Sequence, residues 1–179
     1  MLEVTVYTNR EEPIRMDELR DRLLAFGLPV TLLSDSPEEA ATGRWFISLE
    51  PDATEEADTM LDQQMVVLDV TAEQSLVKGA ATSLLFGFEG ADEDDDDIQA
   101  IKNNLRLARQ SFYCSVQSDR GSGMRLLQVL TLAACLDLGG GVLHDGQNEE
   151  FFSPSSLATF LRRELGDEAE PFVNALHKD

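Results

Sequence analysis

The chain predicts an α+β fold: a compact sandwich in which a mixed sheet carries packed helices. Three observations carry this expectation. Short segments that alternate apolar and polar side chains, as half-buried strands do, are interleaved with segments whose apolar residues recur at intervals of three and four. Hydrophobic residues make up 42% of 179 positions, enough for a real core in one domain spanning 1–179. Finally, residues 2–49 and 111–152 both read as strand, helix, strand, strand. That order allows two pseudo-repeated β-α-β-β halves, 1–90 and 98–179, joined by an acidic linker at 91–97.

The elements follow in order. Leu2 to Thr8 alternates as a strand. Met16, Leu19, Leu23 and Phe26 form a helix stripe that Gly27 ends as a C′ residue. Leu28–Leu33 and Arg44–Leu49 are strands, separated by the breaker Ser34-Asp35-Ser36-Pro37 and a helical turn over Pro37–Ala41. Pro51 to Asp62 reads as a short acidic surface helix and Met65 to Val70 as a strand. Between Ala72 and Phe88, residues Leu76, Val77, Ala80, Ala81, Leu84 and Leu85 give a helix one broad apolar face. After the run Ala91–Asp97, Ile98, Ile101, Leu105 and Ala108 mark another helix, whose acidic start complements its positive N-terminus. Gln110–Ser118 is a strand with Phe112, Cys114 and Val116 on one face. Met124–Leu138 is apolar nearly all round, so it is either central to the core or part of an oligomer interface, and Gly139-Gly140-Gly141 stops it. Val142–His144 and Phe151-Phe152 form a hairpin around Asp145-Gly146-Gln147-Asn148. Ser153 caps a last helix with Pro154 at its first position, and Pro171–Leu176 adds one turn.

Charge is the informative quantity. Thirty-four acids against 14 bases leave a formal charge of −20. Between Glu50 and Asp97 there are 15 acids and a single base, Lys78. Such a field repels nucleic acid and anionic lipid and attracts cationic proteins. No apolar run approaches the roughly 18 residues of a membrane span, and the first residues lack the pattern of a secretory signal, so a cytoplasmic location is expected. The acids expected to meet a basic partner are Glu50, Asp52, Glu55, Glu56, Asp58, Asp92, Glu93, Asp94, Asp95, Asp96 and Asp97. The competing reading of the same residues is a solvated, solubilising surface.

No catalytic constellation, metal site or cofactor is expected. The run from Asp92 fails as a calcium-binding loop, because its sixth and twelfth positions are Asp97 and Asn103 instead of glycine and glutamate. Cys114 and Cys135 sit in apolar patterns and read as reduced core thiols. His144-Asp145 beside Glu149-Glu150 is the one local meeting of imidazole and carboxylates, although Asp145-Gly146 is also a turn signal. Gly121-Ser122-Gly123 stands where an anion-binding helix start could form, yet it fits neither the Gly-x-Ser-x-Gly nucleophile pattern nor a phosphate loop. Trp45 and Phe151-Phe152 are core candidates, or anchors for a partner if exposed.

The stretch Met124–Phe152 runs from an Ala/Leu-rich helix through Leu132-Ala133-Ala134 and Gly139-Gly140-Gly141 into Val142-Leu143-His144-Asp145-Gly146-Gln147, an aromatic strand and then Ser153-Pro154. It resembles the closing unit of several small bacterial families of α+β proteins, some of which look like immunity proteins encoded beside secreted toxins. The resemblance implies a bacterial, cytosolic, protein-binding role and carries over no catalytic residue. With the charge, it predicts an acidic inhibitor that occludes a basic toxin or nuclease. A chaperone or adaptor for a basic secreted protein, and a small-ligand enzyme with its site near His144, are the alternatives.

Overall fold

The computed structural model describes residues 2–37, 42–50, 65–90, 94–116 and 122–176. Among them, seven strands form one sheet: β1 (Leu2–Thr8), β2 (Val30–Ser34), β3 (Gly43–Leu49), β4 (Met65–Thr71), β5 (Gln110–Val116), β6 (Val142–Asp145) and β7 (Glu150–Phe152). Their spatial order is β2-β3-β4-β5-β1-β6-β7. Every neighbouring pair runs antiparallel, so the mixed sheet expected from the sequence is realised as an antiparallel one. The helices are α1 (Met16–Ala25), α2 (Gln74–Phe86), α3 (Asp96–Arg106), α4 (Ser122–Gly139), α5 (Leu157–Leu165) and α6 (Glu170–Leu176). The α+β class is as the sequence predicts.

Both β-α-β-β orders are present, as β1-α1-β2-β3 and β5-α4-β6-β7. Their placement differs. Helix α1 carries the chain from the middle of the sheet to its far edge at β2, whereas α4 carries it across β1 alone, from β5 to β6. Strand β1 therefore lies between two strands from the second half of the chain. Leu2 pairs with Val116, and Tyr7 pairs with both Ser111 and Val142.

Alternation along β1 defines two faces. Val4 and Val6 point to the layer of α1, α4, α5 and α6 and are fully buried, together with Leu19, Leu23, Trp45, Ile47, Leu68, Phe112, Phe160 and Leu161. Tyr7 points the other way, where Val77 and Ala81 of α2 and Leu105 of α3 pack with Val142 in a smaller second cluster. Helix α4 is buried without interruption from Leu127 to Leu136, which settles its all-round apolar pattern as the centre of the core. Trp45 sits 5.7 Å from Phe112, edge to face, within the same layer. Arg22 of α1 reaches Asp137 of α4 at 2.6 Å and ties two helices of that layer together.

Local chemistry explains the ends of the elements. Glu18, at the third position of α1, accepts from the Arg15 N–H at 3.0 Å and holds Arg10 at 2.9 Å. The buried Gln110 side chain satisfies both backbone groups of Ile14, accepting at 2.7 Å and donating at 3.3 Å. A loop that would otherwise bury two unpaired polar groups is thereby pinned to β5. Two ends differ from expectation. Pro154 opens a short 3₁₀ turn before α5 begins at Leu157, and the C-terminal segment makes the seven-residue α6 instead of one turn.

Candidate binding surface

The described end of the acidic run, Asp94–Asp97, leads into α3. Asp95 caps α3, its carboxylate accepting from the backbone N–H groups of Asp97 at 2.9 Å and Ile98 at 3.3 Å. Asp96 and Asp97 occupy the first helical turn, where their charge meets the positive end of the helix. Asp94, Asp95, Asp96 and Asp97 are all exposed, as is Glu50 after β3. Asp52, Glu55, Glu56, Asp58, Asp92 and Glu93 lie outside the described residues, as do His177 and the segments 38–41 and 51–64. Asp95→Ala is expected to cost about 1 kcal/mol through loss of the cap, measured as a shift of the urea midpoint. Asp96→Asn and Asp97→Asn keep the cap and should move the midpoint less.

Arginine side chains are largely engaged inside the molecule. Besides Arg10 and Arg22, Arg44 is bound by Asp35 at 3.1 Å, Arg125 by Glu164 at 2.5 Å and Arg162 by Glu170 at 2.6 Å. The charge left over is therefore negative, and much of it stands at the surface.

The hairpin at β6 and β7 resolves the imidazole and its carboxylates into two separate settings. Successive residues of a strand point to opposite faces, so His144 and Asp145 turn away from each other. Asp145 enters the larger layer, fully buried, and meets Arg163 of α5 at 2.6 Å. Arg163 also bridges to Glu150 and to Glu164, and its guanidinium lies over the Phe152 and Phe160 rings. Burial alone would raise the Asp145 carboxyl, but hydrogen bonds from Asn148, Arg163 and the amides of Asn148 and Gln147 outweigh it and hold it below the usual carboxylate range. This carboxylate is consumed in holding the turn and α5. His144 lies on the opposite face, stacked on Phe151 at 4.7 Å, which in turn meets Phe88. Its Nε2 is buried, 3.6 Å from Glu149 Oε2. The His144-Asp145 sequence pair is thus no acid–base dyad.

The cysteines are equally remote from chemistry. Cys114 accepts from Gln128 at 3.0 Å, yet burial dominates and pushes its thiol up to about 11. Burial also pushes the Cys135 thiol upward. Both are free, buried and protonated at neutral pH. Among the described residues no cluster of three or more His, Cys, Asp or Glu is arranged to hold a metal ion, and no helix is long and apolar enough to cross a membrane.

One surface departs from ordinary patterning. Helices α2 and α3 cover the second face of the sheet around Tyr7, Val142 and Phe151. Toward β2 and β3 no described helix covers that face. Leu33 is 64% exposed, Met65 41% and Tyr113 36%. Register aligns Leu33 with Phe46 and Phe46 with Val67, so three apolar side chains form a row across three strands. Phe46 and Val67 are half-buried by their neighbours. Thr31, Arg44, Ser48 and Asp69 share this face and have the polar character expected of a solvent side. The broad apolar side of α2 is also incompletely covered. Val77 and Ala81 are buried, but Leu76 is 58% and Phe86 64% exposed.

No known protein family, curated protein or solved structure matches the chain.

Proposed function

We propose that this protein is an acidic binding module of the immunity or inhibitor kind, acting in a bacterial cytoplasm, that neutralises a basic toxin or nuclease by occluding it. The observation that carries this reading is the surplus of acid over base. The chain has a formal charge of −20, and several of its arginines are already matched to carboxylates within the fold. Exposed carboxylates of this density accelerate encounter with a cation-rich protein and disfavour anionic partners.

The test is capture by the tagged full-length chain from its own host at low and at high salt, followed by association kinetics with the protein recovered. One stoichiometric basic partner is expected, binding fast at low salt and more slowly as salt screens the charges. Asp96→Asn with Asp97→Asn should lower the association rate and its salt dependence while leaving the cap intact. Recovery of no basic protein at either salt would overturn the reading.

A further inference from the structure

We propose that the basic partner seats on the open half of the sheet, over the row Leu33, Phe46 and Val67, with an apolar patch ringed by lysine and arginine. The inference rests on the binding role proposed above and adds where the contact is made.

In an antiparallel sheet with one face solvated, the solvent side normally alternates into polar residues. Thr31, Ser48 and Arg44 obey that rule on β2 and β3. The row of Leu33, Phe46 and Val67 breaks it on three adjacent strands in register, with Met65 and Tyr113 close on the same face. Leu33, exposed beside the half-buried Phe46 and Val67, presents the kind of apolar surface that centres a protein contact, because covering it returns hydrophobic free energy that folding left unused.

Charge selects the occupant. Asp69 follows Val67 on the same face of β4, and Glu3 stands on that face of β1; both are exposed. Neither makes an ion pair with a described residue; Arg44, which stands opposite Asp69 in the register, is itself held by Asp35 at 3.1 Å. Among the described residues the face is thus apolar at its centre, with a rim on which Asp69, Glu3 and Asp35 outnumber Arg44. A second copy would bring the same acids against these, along with another formal charge of −20, so association of like chains is opposed. Lipid headgroups and nucleic acid of negative charge are opposed in the same way. A protein with an apolar centre and a cationic rim satisfies both features at once.

The experiment uses the full chain and the basic protein that the wild type retains at low salt. Leu33→Ser combined with Val67→Thr removes the centre of the row, and Leu24→Ser is the control, a leucine of similar exposure on α1 beneath the other face. Melting temperatures verify that each variant folds. The row variant is expected to bind about tenfold more weakly or worse, chiefly through faster dissociation, with the control unchanged. A benzophenone side chain introduced at position 33 should cross-link to that same basic protein, and one introduced at position 24 should not. Wild-type affinity in the row variant, or cross-links from position 33 only to a second copy of this chain, would overturn the proposal. If binding persists in the row variant but falls in the Asp96→Asn, Asp97→Asn variant, the acidic binding role stands and this surface does not. If the wild type retains no basic protein, both fail together.

Discussion

Replacing Gly141 with alanine is expected to abolish stable folding or to cost well over 3 kcal/mol, more than a typical single substitution. Two effects coincide at this residue. Its φ of +96° lies where a side chain is strained, and a Cβ there would stand 1.9 Å from the carbonyl oxygen of Tyr7 and 3.1 Å from Thr8 Cα. Both obstacles are backbone of β1, an interior strand of the sheet, so neither can swing aside. The close approach is what lets β6 begin beside β1 directly after α4, with Tyr7 paired to Val142. Gly27→Ala provides the comparison. Its φ is +85°, but no atom lies within 4 Å of the added carbon, so only the conformational cost of roughly 1–2 kcal/mol applies. Urea denaturation of the two variants separates clash from strain. Equal losses would show that the strand can give way at Tyr7.

Arg163→Ala should rank second, at about 3–5 kcal/mol, the range for removing one partner of a buried ion pair. The fully buried Asp145 carboxylate would keep Asn148 and two loop amides but lose its counter-charge. The two aromatic rings beneath the guanidinium would also lose cover. The pH dependence has a definite sign. In the folded wild type the Asp145 carboxyl is held below its ordinary value. Its contribution is therefore complete above the normal carboxylate range and is lost as pH falls through the folded value. In the variant, burial is opposed by fewer partners and the carboxyl moves upward. The stability gap between wild type and variant should be widest near neutrality and narrow toward about pH 3, where carboxylates protonate. Denaturant titrations at both pH values measure it, and a gap independent of pH would assign the loss to packing over Phe152 and Phe160. Arg163→Lys should fall between, since an ammonium keeps the charge but not the planar fork that serves three carboxylates.

Periodicity made individual elements legible but not their neighbours. The 3-4-3 spacing of Met16, Leu19, Leu23 and Phe26 determines which side of α1 is buried, and Asp145-Gly146 announces the hairpin. Helix α4 is readable because burial on all sides leaves no polar stripe to find. Strand order is different, since alternation reports a face and says nothing of which strand lies alongside. Nothing local in Leu2–Thr8 places it between β5 and β6. Asp95 was hidden among like residues, because six consecutive acids all look like solvated charge until one is found accepting two backbone N–H groups. Arg163 carries no local signal of its role, being 18 residues from Asp145 and in a helix with ordinary amphipathic spacing. The open row was concealed by the sequences Thr31-Leu32-Leu33, Trp45-Phe46-Ile47 and Val66-Val67-Leu68. Contiguous apolar residues are what a strand covered on both faces requires, so the member of each that faces away from the main core cannot be told from those that face it.

The position of β1 also bears on how the chain acquires its structure. Thr8 and Gln110 are 102 residues apart yet bonded, and the other neighbour of β1 is made later still. At translation speeds of roughly 5–20 residues per second, β1, made before the other described strands, waits on the order of ten seconds for partners on either side. During that time an apolar ribbon stays unpaired. Deleting it would split the sheet into β2-β3-β4-β5 and β6-β7, so the N-terminal strand is the keystone of assembly. Contacts this distant in sequence place the protein among slow folders, and its heavy negative charge, by keeping nascent chains apart, suits it to that delay.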